Sequence, residues 1–264
     1  MSQDALARSG PLVGMGNLAA REAATWWSTG RWRVQVAVWT VLLAGLLATM
    51  LWVFPALMPE TQEGAAGLGG DARDVAMQYP DLAAVLMAAG VVLLTQGLII
   101  DERRNGVLEW LLSKPLARPA LIVAKFVGQA AGLLVVVVVV PWVAVYAVLS
   151  VAAGQPWDVA DALAATGTLA LVVLFHLALV LALSAFTSSR VIVLAVPLAA
   201  IVGSDAVVGV VPDAFYVLPW SLGGVASVLL ADGALISAWP IVATVGWTAL
   251  LLVVAAVRLD RAEL

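Results

Sequence analysis

Residues 133–149, LLVVVVVVPWVAVYAVL, form an apolar run that neither alternates nor meets a charge. Few folds accept such a run. A surface helix in water needs a polar face, and a membrane barrel needs strands of about 10 residues that alternate. A helix crossing hydrocarbon needs about 20 mostly apolar residues. Only the last fits. The whole chain carries 63% hydrophobic and 11% charged residues, against about 25% charged in an ordinary soluble domain. The fold class is therefore read as all-α: a polytopic membrane protein occupying 1–264 as a single domain.

Six spans are expected, near Val34–Phe54, Leu82–Ile100, Phe126–Leu149, Ala162–Phe186, Val191–Val211 and Ser237–Val257. Each is long enough for about 30 Å of hydrocarbon at 1.5 Å per residue. With an even count, twelve of the 13 Lys and Arg residues fall on one side, and only Arg73 falls on the other. Basic residues gather on the cytoplasmic side of membranes, so both termini are expected there, in a multi-pass protein of the cell membrane. The opposite segments are acidic, with Asp71, Asp74, Asp81, Asp158, Asp161, Asp213 and Asp232. Trp26, Trp27, Trp32, Trp52, Trp157 and Trp239 fall near expected span ends, where indole settles. No cleavable leader pattern precedes the first span.

Three segments outside the spans have character. Residues 1–10 read as a flexible leader, and 11–33 as an interfacial amphipathic helix. On its wheel Met15, Leu18, Ala19, Ala23, Trp26 and Trp27 share one arc. Glu22 also sits on that arc and needs a partner, for which an Arg of the 101–125 loop is the candidate. Residues 55–80 are Gly-rich and read as a solvated loop. Residues 212–236 are apolar but broken by Pro212, Pro219 and Gly223–Gly224. They fit two short helices dipping into the outer leaflet better than two more spans.

Much chemistry is excluded. Without cysteine there are no disulfides or thiolate metal sites, and the single His176 makes a histidine metal site untenable. No G-x-S-x-G, H-E-x-x-H or G-x-x-x-x-G-K-[ST] occurs. Catalytic and metal residues are thus expected to be none, and the net charge of −4 gives no nucleic-acid signal. Polar residues in spans are few (Gln96, Gln129, His176 and Asp205), which argues mildly against ion coupling. Gly128 and Gly132 form a G-x-x-x-G suited to close helix packing.

The loop 101–125, DERRNGVLEWLLSKPLARPALIVAK, holds five of the Lys and Arg residues. Asp101 and Glu102 suit the start of a short helix. Val107, Leu108, Leu111 and Leu112 make an apolar ridge, Pro115 stops it, and Arg118 and Lys125 are expected to anchor at headgroups. A greasy ridge rimmed by charge fits a groove on a partner.

The string E-x-x-x-G-x-L-E-x-L-L-S-x-P-x-x-R-x-x-L-x-x-x-K resembles the first cytoplasmic loop of ABC-2-type permeases, the membrane subunits of one class of ABC exporters. The leader resembles that family's elbow helix, with Arg21–Glu22 at its basic–Glu pair and Trp26 and Trp27 beside it. Pro119 departs from the pattern but is acceptable in a first helical turn. The resemblance implies a coupling helix in 101–118, with Glu102, Arg103, Gly106, Leu108, Glu109, Leu111, Leu112, Pro115 and Arg118 meeting an ATPase subunit. It implies two permeases, as a homodimer or paralogous heterodimer, and two ATPase subunits that hold ATP and magnesium, with no cofactor in this chain. Membrane lipids are the other partner. Spans two and five would line the path through Val92, Gln96, Val193 and Pro197, with Pro219, Trp220 and Gly223 as an outer gate. A stand-alone ion-coupled carrier or channel is the alternative, and a membrane enzyme or immunity-type protein without transport is a third reading.

Overall fold

The computed structural model describes residues 15–57, 71–106 and 118–260. They are helical, with no strand. Helix α1 is Met15–Trp27, followed by α2, made of Arg31–Ala48, a π-helical turn Thr49–Val53 and Phe54–Leu57. Then come α3 (Ala72–Thr95), the short α4 (Ile100–Arg104), and α5, made of Arg118–Leu133, a π-helical turn Leu134–Val139 and Val140–Ala153. Helices α6 (Val159–Phe186), α7 (Arg190–Val210), α8 (Leu222–Asp232) and α9 (Trp239–Asp260) complete the order.

Local chemistry explains several boundaries. Asp71 caps α3 by accepting from the backbone N–H groups of Arg73 and Asp74, and Asp158 caps α6 in the same way through Ala160 and Asp161. Such caps satisfy donors that a helix start leaves free. Both π turns precede a proline, Pro55 and Pro141. Proline has no N–H for the regular i→i−4 bond, and a wider turn is one way around that gap.

Helix α6 is the hub. Its most apolar window is 67% buried, against 22% for α9 and 28% for α2, and α3, α5, α7, α8 and α9 all pack on it. Its interior face presents Leu169, Val173, Leu177 and Leu181 to the core.

Five stretches are long and apolar enough to cross a membrane: Arg31–Leu57, Ala72–Arg104, Pro119–Ala153, Val159–Phe186 and Trp239–Asp260. The remaining expected span lies in α7, whose apolar stretch Arg190–Ser204 is shorter. Helix α3 begins at Ala72, which corrects the reading of 55–80 as one loop. Asp81, expected in an outside segment, stands inside that helix. The leader 1–10 and the Gly-rich residues 58–70 lie outside the described residues.

The two ends of the bundle differ in charge. At one end Arg190 pairs with Asp101, and the Arg258 guanidinium lies over the Phe186 ring at 5.7 Å. At the other, Arg73 pairs with Asp232, and Trp157 Nε1 donates to the Leu230 carbonyl at 2.8 Å. This second end carries Asp71, Asp74, Asp158 and Asp161.

Between α7 and α9 the chain folds back into the bundle. Two 3-10 turns, Pro212–Tyr216 and Pro219–Ser221, lead into α8, which packs between α3 and α6. The Trp220 ring lies 5.7 Å from Phe175 and 6.5 Å from His176. His176 is about 25 Å along α6 from its first residue at 1.5 Å per residue.

Candidate functional site

The strongest cluster of buried polar groups joins α1, α4 and α5. Glu22 and Trp26 are one turn apart on α1, and Lys125 and Gln129 are one turn apart on α5. One-turn spacing puts each pair on a single face, and the two faces meet. Lys125 Nζ donates to Glu22 Oε1 at 3.0 Å and to Glu102 Oε1 at 2.7 Å. Gln129 Nε2 donates to Glu22 Oε2 at 2.9 Å, and Trp26 Nε1 donates to Gln129 Oε1 at 2.8 Å. Lys125 is 1% exposed and Glu22 9%. Burying a charge is costly unless it is paired and hydrogen-bonded, and here one ammonium serves two carboxylates.

Close helix approach makes this possible. A Cβ placed on Gly128 would fall on the Glu22 Cβ and lie 2.9 Å from the Ala19 carbonyl oxygen, and one on Gly132 would fall on the Trp26 ring. The G-x-x-x-G is thus the bed in which α1 lies, with Leu18 also buried there.

Two expectations need correction. Glu22 meets Lys125 instead of an arginine, and Lys125 is buried in the joint instead of reaching headgroups. The signal was present: Glu22/Trp26 and Lys125/Gln129 repeat at the same interval, beside glycines at that interval too. Of the other elbow residues, Arg21 and Trp27 are exposed, and Trp27 meets Trp32 edge-on at 5.4 Å.

The expected coupling residues divide. Glu102 and Arg103 lie in α4, and Gly106 follows with φ of 68°. That left-handed backbone suits glycine and ends the helix, so the expected single helix running on to Pro115 is broken after Arg104. Glu102 Oε2 and Arg103 Nε are buried without a hydrogen-bond partner among the described residues. They stand at the root of residues 107–117, in which Leu108, Glu109, Leu111, Leu112 and Pro115 lie outside the described residues. Arg118 opens α5, and its side chain is also outside the described atoms.

The profile of the family described as ABC-2 family transporter protein matches residues 31–264. The chain belongs to the ABC-2 family. No curated protein matches it. The matched span of this ABC-2 protein contains Glu102, Lys125 and Gln129 but starts after α1, so Glu22 and Trp26 enter the joint from outside it.

Of the expected path residues, two pack together. Val92 and Val193 are fully buried in one small cluster with Ile100 and Val180, Pro197 is buried, and the Gln96 amide donates to the Leu93 carbonyl at 3.2 Å. Val92 and Val193 thus close a contact between α3 and α7. Open volume lies farther along α3, beside the expected gate residues. There Pro219 is buried, Trp220 is half-buried, and Gly223 is pressed on Asp81: a Cβ on Gly223 would come within 2.9 Å of the Asp81 Cα. Among the described residues no group of His, Asp and Glu could hold a metal ion.

Proposed function

We propose that this chain is the permease subunit of an ATP-driven exporter. Two copies form the path, and two separate ATPase subunits dock on the loop 101–118. ATP and magnesium belong to the ATPase subunits. Helix α7 serves as a sixth span, both termini face the cytoplasm of a cell-membrane protein, and 212–236 is a re-entrant hairpin at the outer side.

The observation that carries this reading is the joint at Lys125. Force applied to the loop arrives at Glu102. Lys125 links Glu102 to α5 on one side and to α1 on the other, so the three elements move as one body. The Arg190–Asp101 pair extends the link to the start of α7. Nucleotide-driven closure of the ATPases would push the loop, tilt α5 and α7, and open the Val92–Val193 seam. The family membership, the apolar spans and the basic character of this end support that scheme.

The test is co-purification. Leu108→Asp with Leu112→Asp places two charges on the proposed docking ridge. Loss of the ATPase from the purified complex, with the permease still folded, is expected. A retained complex with ATP-dependent transport would overturn the docking assignment. The ion-coupled alternative predicts proton- or sodium-driven flux in liposomes holding this chain only.

A further inference from the structure

We infer that the cavity between α3, α6, α7 and the hairpin binds a protonated primary amine, the ammonium group of an amphiphilic cargo. This deepens the permease reading and rests on it. The main chamber has a volume of about 390 Å³, within the range of small-molecule sites. A smaller one of about 30 Å³ adjoins it, and Asp81, Ser204 and Trp220 line both.

The lining is rich in acceptors. His176 Nδ1 lies 2.8 Å from the Val172 carbonyl. A carbonyl only accepts, so Nδ1 carries the proton. Nε2 is fully buried and has no hydrogen-bond partner among the described residues, and His176 lines the smaller chamber. An imidazolium would leave a charged N–H unpaired there, which is costly, so Nε2 offers a lone pair. Ser204 and Ser221 spend their protons on the carbonyls of Ile201 and Leu218, at 2.8 and 2.6 Å, which leaves only oxygen lone pairs. Asp81 adds a carboxylate with about four acceptor positions, so it can serve an incoming N–H beside the contact it already makes. Among the described lining residues the one side-chain donor left over is Trp220 Nε1, which is also unpartnered there.

An anion would find that single donor and a carboxylate, and among the described residues no Lys or Arg lines either chamber. A quaternary ammonium would have no N–H for His176. A primary ammonium brings three donors and a positive charge, which also suits the ring faces of Trp220 and Phe215. Its alkyl tail can leave between apolar helices.

The single histidine makes the test direct. The full chain, labelled with ¹⁵N-histidine, is placed in phosphatidylcholine nanodiscs, and the imidazole resonances are followed by NMR. Dodecylammonium is expected to shift Nε2 saturably toward its hydrogen-bonded position, while dodecanoate and the choline headgroup do not. Nanodiscs containing phosphatidylethanolamine distinguish the source. If they shift Nε2 unaided, the ammonium comes from a lipid headgroup. If only dodecylammonium does, it comes from a free amphiphile. No shift with either amine, or an equal shift with dodecanoate, overturns the inference.

Asp81→Asn is expected to raise the half-saturating dodecylammonium concentration about tenfold, in line with loss of one ionic hydrogen bond. Its unliganded spectrum reports that the fold is intact. Trp220→Phe keeps a ring and removes only the donor, so it should change binding by less than about threefold. An unaffected Asp81→Asn, or a large loss in Trp220→Phe, counts against the assignment. The measurement uses no ATPase. Failed amine binding with retained ATPase docking removes only this inference, and the reverse result removes only the coupling scheme.

Discussion

The joint at Lys125 and the cavity at His176 are both polar places in an apolar bundle, and they are built in opposite ways. At the centre of the joint, both Glu22 oxygens, the Lys125 ammonium and both ends of the Gln129 amide have protein partners, with Trp26 closing the set, while Glu102 Oε2, at the edge toward residues 107–117, has none among the described residues. At the cavity, His176 Nε2 and Trp220 Nε1 have none among the described residues. A satisfied buried network holds one arrangement and rigidifies what it joins. An unsatisfied one keeps its hydrogen-bonding capacity for something else. On the readings proposed above, the difference separates a part that transmits motion from a part that receives a ligand.

Lys125→Met should break that comparison most severely. It strands two carboxylates in the joint, and losing one partner of a buried pair costs about 3–5 kcal/mol. The measurement is thermal unfolding in detergent, with a large drop in Tm or in folded yield expected. Adding Glu22→Gln should recover part of the loss, because one stranded charge is gone and the Gln129 neighbour remains. If Lys125→Met melts with the wild type, the joint does not hold α1.

Gly128→Ala comes next. The added methyl group meets α1 backbone and the Glu22 side chain, so α1 must lift, at about 1–3 kcal/mol. The chain has no cysteine, so one cysteine introduced on α1 and one on the facing side of α5, away from Gly128 and Gly132, can report the α1–α5 separation by crosslinking. Faster crosslinking in the wild type than in Gly128→Ala is expected. Equal rates would mean that the close approach is not needed.

The smallest effect sharpens the comparison best. Trp26→Phe deletes an indole N–H that has a partner, and about 1 kcal/mol of stability should go with it. Trp220→Phe deletes one that has none among the described residues, and Tm should stay within error. Equal losses at the two positions would erase the distinction between the joint and the cavity.

Sequence reading went far along the helices and less far between them. The expected spans Ala162–Phe186 and Val191–Val211 fall within about two residues of α6 and α7 at the ends joined by residues 187–189, because hydrophobic runs mark themselves. The expected second span, Leu82–Ile100, starts too late because Asp81 has the chemistry of a loop residue, whereas the helix begins at Ala72. Inside α3 the carboxylate instead borders a cavity. That Glu22 needs a partner is legible, since a charge on an apolar arc is costly without one. Which cation it met was not legible. Lys125 and the loop arginines are equally good partners on paper, and only helix packing over Gly128 and Gly132 brings one of them within 3.0 Å. His176 read as a lone polar residue in a span. Its role depends on Trp220, 44 residues later, arriving on a folded-back hairpin.

What the amino-acid sequence determined by itself was the solvent of each segment, because transfer free energy between water and hydrocarbon is a local property of composition. That is enough to demand membrane helices and to sort the charges by side. Tertiary structure decided which polar atoms meet. In hydrocarbon every such atom needs a partner, and partners lie on other helices, at distances set by packing that no single stretch of chain encodes.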